Sequence, residues 1–148
     1  MQLSLHADYS LRVLIYLASA EPAGRSVSTQ EISVAYGISR NHLVRVVQTL
    51  AENGYVKATT GRTGGVSLAM EPKAIRIGEV VRGAEPTLKL VECFDRRTNT
   101  CPIASVCALK GMLREGLESF LTTLNQYTLA DITTVRDRGE LVRILQSA

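Results

Sequence analysis

The chain has no tryptophan, few aromatic residues (5%), two histidines, three cysteines and no apolar run long enough to span a bilayer. Scarce aromatics mean an aliphatic core. Two histidines with no nucleophile placed near them, no glycine-rich nucleotide motif and no C-x-x-C pair argue against an enzyme or redox carrier that uses the thiols directly. An odd number of cysteines argues against a secreted disulfide framework. The segment Leu11 to Ala20 resembles the apolar stretch and cleavage site of a signal peptide. However, Asp8 precedes it, Lys and Arg do not, and Arg12 interrupts it. The expected location is the cytoplasm, where thiols stay reduced, with no membrane association.

What is present begins with the cysteines. All three lie between Val91 and Lys110, as Cys93, Cys101 and Cys107 in a C-x7-C-x5-C spacing. The polar stretch Asp95 to Thr100 between the first two favours turns and cannot fill a core. Structural zinc favours ligand pairs two to four residues apart, and neither His6 nor His42 lies in this loop. An iron–sulfur cluster is wider and tolerates longer gaps, with one ligand per iron corner. Three cysteines leave one corner to a ligand from elsewhere, or open to a small molecule such as nitric oxide or oxygen. Zinc binding and a cluster-free thiol switch stay open as alternatives, and direct thiol redox chemistry is a rival from another class.

At 148 residues and 45% hydrophobic, the chain suits one compact domain or a small domain with an arm. Residues 3–20 carry Leu11, Leu14, Ile15 and Ala18 at helical spacing, and Asp8 in the first turn complements the helix dipole. Ser28 or Thr29 caps a short helix, Gln30 to Tyr36, with Glu31 as the capping-box partner of Ser28. Gly37 breaks it, Ile38 points inward, and Ser39 caps a second helix from Arg40 to Glu52, closed by Asn53-Gly54. Leu43, Val47 and Leu50 form its apolar stripe; Asn41, Arg45, Gln48 and Glu52 face the other way. This is a helix-turn-helix pattern whose second helix suits the DNA major groove. Tyr55 to Thr59 and Val66 to Leu68 then form a hairpin wing, with Gly64 and Gly65 allowing close approach to the DNA backbone and Arg62 at the tip. Between Arg25 and Arg62, five basic residues (25, 40, 45, 57, 62) face two carboxylates, Glu31 and Glu52.

Glu71-Pro72 closes the wing, and Ile75 to Gly83 forms a short helix with Ile77, Val80 and Val81 inward. From Ala108 to Gln126 a long helix carries Leu109, Met112, Leu113, Leu117, Phe120, Leu121 and Leu124. This stripe lies outside the winged-helix core and is expected to pair with the same helix of a second subunit. Tyr127 to Asp131 ends that helix, and the charged tail from Thr133 offers a helical turn or two. The expected fold is mainly α: a winged helix-turn-helix domain (1–85), a cysteine loop (86–108), a dimerisation helix and its end (109–133), and a tail (134–148).

These motifs together resemble the Rrf2 family of bacterial winged-helix regulators: MQLSLHADYSLRVLIYLA, YGISRNHLVRVVQTL, the GRTGG wing, AIRIGEVVR, the three cysteines and NQYTLADI. The resemblance runs from Met1 to about Thr133. The Asp8-Tyr9 start, the SRNH opening and the YTLAD ending are similar to its nitric-oxide-sensing repressors. That resemblance implies a homodimer with an iron–sulfur cluster, 4Fe–4S with 2Fe–2S as the alternative, held by Cys93, Cys101 and Cys107. It implies Asp8 as the fourth ligand, reaching in from the other subunit. The holo-protein would bind a palindromic promoter site, and nitrosylation or loss of the cluster would release the DNA. The DNA contacts expected from the helix-turn-helix, the wing and their basic residues are Ser28, Arg40, Asn41, His42, Arg45, Gln48, Lys57, Arg62, Gly64 and Gly65. The family's cluster-assembly regulators carry a histidine three residues past the third cysteine, where this chain has Lys110. The seven-residue first gap matches the rhizobial iron-responsive regulators, which makes iron the alternative signal.

Overall fold

A computed structural model describes residues 2–20, 22–59, 64–133 and 135–146. Helix α1, Leu5–Ser19, is capped by Ser4, whose side chain accepts from the Ala7 amide. Helices α2, Thr29–Tyr36, and α3, Arg40–Glu52, follow, and the turn between them is made by Gly37 at φ +64°. A side chain is strained at that angle, so glycine is the residue that lets α3 leave α2 so sharply. Ser33 Oγ donates to the Ile38 carbonyl at 2.7 Å and so secures the turn, while Ile38 is buried. Strands β1, Val56–Thr59, and β2, Gly65–Leu68, pair antiparallel with Val56 opposite Leu68. Two hydrogen bonds of 2.8 Å between Val27 and Val66 attach the segment before α2 to this hairpin. This is a winged helix-turn-helix, as expected.

Its main core is aliphatic. Leu14, Ile32, Leu43, Leu50, Ile75 and Leu129 are among its fully buried side chains. Each such residue contributes about 1.5–3 kcal/mol by leaving water. Helix α4, Ile77–Ala84, carries two faces: Ile77 and Val80 join this core, whereas Val81 joins a second cluster with Leu117 and Leu121 of α5, Ala108–Leu124. Leu88, Leu90 and Phe94 pack against the second cluster and anchor the cysteine segment to it.

Four expectations change. Glu31 does not complete a capping box: Ser28 accepts from the Glu31 amide, but the Glu31 carboxylate turns to Arg25 and to the Tyr16 hydroxyl, 2.9 Å away. The stripe on α5 is divided, because Leu117 and Leu121 are buried within the chain while Leu109 and Met112 stay 58% and 65% exposed. The segment after α5 is a separate short helix, α6, Leu129–Ile132, with a capping box between Thr128 and Asp131. It drives Leu129 into the main core. The tail is a full helix, α7, Val135–Gln146, with Leu145 packed on that core and Val142 beside Tyr16 and Ala20.

The Arg25–Glu31 pair makes a pH prediction. Hydrogen bonding from Arg25, and then from Tyr16, holds the Glu31 carboxyl below its ordinary value of 4.5. A carboxyl depressed in the folded state stabilises above its ordinary value and loses that contribution as the pH falls through the folded one. About a third of each side chain is solvent-exposed, so screening keeps the contribution near 1 kcal/mol. Thermal melts should place Glu31→Gln below the parent chain at pH 7, with the gap closing below pH 4.5. A constant gap across that range would remove ionisation of Glu31 as its source.

Candidate nucleic-acid interface and cysteine site

Ser39 caps α3 by accepting from the His42 amide, and the helix sets Leu43, Val46, Val47 and Leu50 into the core. That leaves Arg40, Asn41, His42, Val44, Arg45 and Gln48 exposed on its outer face. One flank of this face opens onto a groove of about 700 Å³ between α3, the start of α2 and the wing; Ser28, Arg40, Val44, Gln48, Gly64 and Gly65 are among the residues lining it. On the other flank, His42 and Arg45 line a smaller cavity of about 210 Å³ with Leu5, His6 and Tyr9, and the His42 ring lies 5.9 Å from that of Tyr9. Lys57 is exposed on β1. Arg62 lies outside the described residues.

The charges sort themselves. Arg25 is tied to Glu31 and adds no free charge to this face. Among the described residues, Arg40, Arg45 and Lys57 make no ion pair, so their charge on this face is not neutralised by a carboxylate. Gln48 donates to Glu52 at 3.0 Å, which leaves its amide carbonyl free to turn outward. Gly65 is required by the fold itself: a Cβ there would lie 2.4 Å from Ser26 Oγ and 2.8 Å from the Val27 carbonyl.

The cysteine segment runs from the end of α4 to the start of α5. Cys93 sits in a single 3-10 turn, Glu92–Phe94, and Cys107 immediately precedes α5. Asp95 accepts from the Arg97 amide at 3.0 Å and from Lys89 at 2.5 Å, Glu92 accepts from the Thr100 amide, and Asn99 accepts from the Cys101 amide at 3.1 Å. These bonds hold the polar stretch between Cys93 and Cys101. Arg114 of α5 places its guanidinium 5.6 Å over the Phe94 ring. All three thiols are free and half-buried. Among the described residues, no three His, Cys, Asp or Glu side chains converge on one point as they would around a bound ion. The donor set itself, three unpaired soft sulfurs on one anchored loop, suits an iron–sulfur group.

Asp8 faces Arg12, one turn on, at 2.9 Å, and is about two-fifths exposed. The start of α1 reaches the cysteine arm, since the Ser4 amide donates to Glu85 at 2.7 Å and Leu3 packs against the same apolar cluster as Leu88 and Phe94.

The joint between the two halves was not evident from sequence. Asn125, just past α5, accepts from the Glu79 amide at 2.9 Å and donates to the Glu79 carboxylate at 2.8 Å. It thereby caps α4, whose own cap residue Arg76 supplies no side-chain cap. Arg76 in turn donates to the Asn125 carbonyl at 2.8 Å. Gly78 permits the contact: a Cβ there would stand 2.4 Å from the Leu121 carbonyl oxygen and from Asn125 Oδ1. The signal was an Asn at a helix end, which in sequence reads only as a C-terminal cap.

Fold and interface define a winged-helix DNA-binding transcription regulator carrying a cysteine arm. Residues 3–134 match the family described as "Rrf2: Iron-dependent Transcriptional regulator", and the chain belongs to that family. It is 44% identical over 146 residues to the HTH-type transcriptional regulator NsrR of Bacillus subtilis (strain 168), covering 99% of this chain and 98% of that protein. It is 46% identical over 146 residues to NsrR of Shouchella clausii (strain KSM-K16), covering 99% and 96%. Among solved structures it is similar to "T. potens IscR", with a TM-score of 0.69 and 26% identity over 89% of this chain and 85% of that one. It is also similar to CymR, the global cysteine regulator of B. subtilis, with a TM-score of 0.62 and 26% identity over 89% and 95%. No helix among the described residues is long and apolar enough to cross a membrane.

Proposed function

We propose that this chain is a cytoplasmic, non-enzymatic, homodimeric repressor whose iron–sulfur cluster senses nitric oxide. The observation that carries this reading is the cysteine arm: three free thiols on a loop anchored to the same small cluster, Val81, Leu117 and Leu121, that joins α4 to α5. Cys93, Cys101 and Cys107 would hold the cluster, of the 4Fe–4S type, with Asp8 of a second copy as the fourth ligand. When bound, the cluster supplies an iron corner at which nitric oxide can react.

The chain's own residues do the rest. Arg45, Asn41, His42 and Gln48 meet the major groove, Arg40, Ser28 and Lys57 meet phosphate, and Gly64, Gly65 and Arg62 form the wing contact. The exposed half of the α5 stripe, Leu109 and Met112, together with Val106 at 82% exposure, is the surface for a second copy. A shift of the arm moves α5, and Asn125 and Gly78 pass it to α4, which packs on α1, which packs on α3.

The test is anaerobic purification with iron and acid-labile sulfide assayed per subunit, followed by nitric oxide titration against promoter DNA. The expected result is a sulfide-containing cluster, DNA release at a few nitric oxide molecules per cluster, and a loss of about tenfold or more in affinity for Arg45→Ala at fixed salt. Iron and sulfide absent from the anaerobic protein would remove the sensor, and unaltered affinity in Arg45→Ala would remove the recognition-helix assignment. The seven-residue gap between Cys93 and Cys101 favours a second reading, an iron-responsive regulator using the same cluster. A cluster indifferent to nitric oxide, but lost together with DNA binding on iron chelation, would select it.

A further inference from the structure

We infer that Val44 reads the 5-methyl group of a thymine on the major-groove edge of the operator. The inference rests on α3 being the helix that enters that groove. Val44 is 56% exposed, although the inward stripe of the same helix, Leu43, Val46, Val47 and Leu50, is buried. It lies one turn from Arg40 and one turn from Gln48, and all three line the groove beside the wing. Val44 therefore belongs to the polar, DNA-facing side and not to the core.

A β-branched aliphatic residue is a costly choice there on local grounds. It is a weaker helix former than alanine or the long polar residues, and at 56% exposure it contributes little burial. It can neither donate nor accept a hydrogen bond, so it discriminates only by apolar contact. On the major-groove edges of the four base pairs the one methyl group is that of thymine; the other features are donors, acceptors and the small C5–H of cytosine. Arg40, without an ion pair among the described residues, and Ser28, which lines the same groove, supply the phosphate contacts that would hold Val44 in register over a base. The neighbouring Asn41, Arg45 and Gln48 then read polar edges while Val44 reads the methyl.

Uracil in place of thymine deletes that methyl and leaves pairing and every polar edge intact. The experiment takes a duplex selected in vitro by the full-length protein, replaces each thymine in turn by uracil, and measures affinity at fixed salt for the parent chain and for Val44→Ala. One buried methyl is worth about 0.8 kcal/mol, or about fourfold in affinity. The expected result is one thymine per half-site at which uracil costs the parent chain about fourfold and Val44→Ala less than about twofold. Because Val44 is exposed and alanine favours helix, the variant should melt at or above the parent temperature. Uracil tolerated at every position by the parent chain would overturn the inference, as would unchanged uracil penalties in Val44→Ala. Failure of the parent chain to bind any duplex, selected or random, would instead bring down the DNA-binding reading and this inference with it.

Discussion

The Cys101→Ser chain should purify anaerobically with no acid-labile sulfide and almost no iron, against about four of each per subunit in the parent. Cys101 is half-buried in a turn and takes no part in either hydrophobic cluster, so the substitution should change folding stability by no more than about 0.5 kcal/mol. The loss is one of ligand chemistry. A serine hydroxyl is not ionised near neutral pH and so puts a neutral oxygen where the cluster iron would take an anionic thiolate. The residue 101 amide would keep donating to Asn99 Oδ1, so the loop should retain its shape without the sulfur. DNA binding by this variant should no longer respond to nitric oxide. Iron and sulfide at parental levels would exclude Cys101 from the ligand set and return it to the role of a small turn residue.

Gly78→Ala should cost about 3 kcal/mol, the upper part of the range for overpacking together with strained hydrogen bonds. The methyl would lie 2.4 Å from two oxygens, and one of them, the Leu121 carbonyl, is helix backbone that cannot rotate away. Either α5 withdraws or α4 tilts. In both cases the two Asn125 bonds to Glu79, at 2.9 and 2.8 Å, are stretched or lost. For a domain of this size the melting temperature should fall by roughly 10 °C. Gly139 in α7 is the control: a Cβ there meets nothing within 4 Å, so Gly139→Ala should stabilise by about 0.5–1 kcal/mol. Asn125→Ala, which removes the trans cap without adding a clash, should cost about 1 kcal/mol and weaken the dependence of DNA affinity on cluster state. Equal melting of Gly78→Ala and the parent chain would mean that α4 and α5 are not packed this closely in solution.

Both results turn on residues whose importance was unequally legible. The sequence by itself determined the elements of the DNA-binding half, because their signals are local. Ser28 and Ser39 cap from one end, Gly37 turns between, and the spacing of Leu43, Val47 and Leu50 sets which face of α3 is buried. It also determined that three thiols share one polar loop. What only the tertiary structure decided depends on partners far along the chain. Glu31 leaves its expected capping box because Arg25 and Tyr16 stand where their charge and hydroxyl outcompete a local amide. Leu117 and Leu121 face inward because Val81 is there to cover them, so of the α5 stripe Leu109 and Met112 are left exposed. The tail is a helix because Leu145 finds the core beside α1. Asn125 and Gly78, 47 positions apart in the sequence, meet because two helix ends were brought together, and no periodicity within either helix could announce that contact.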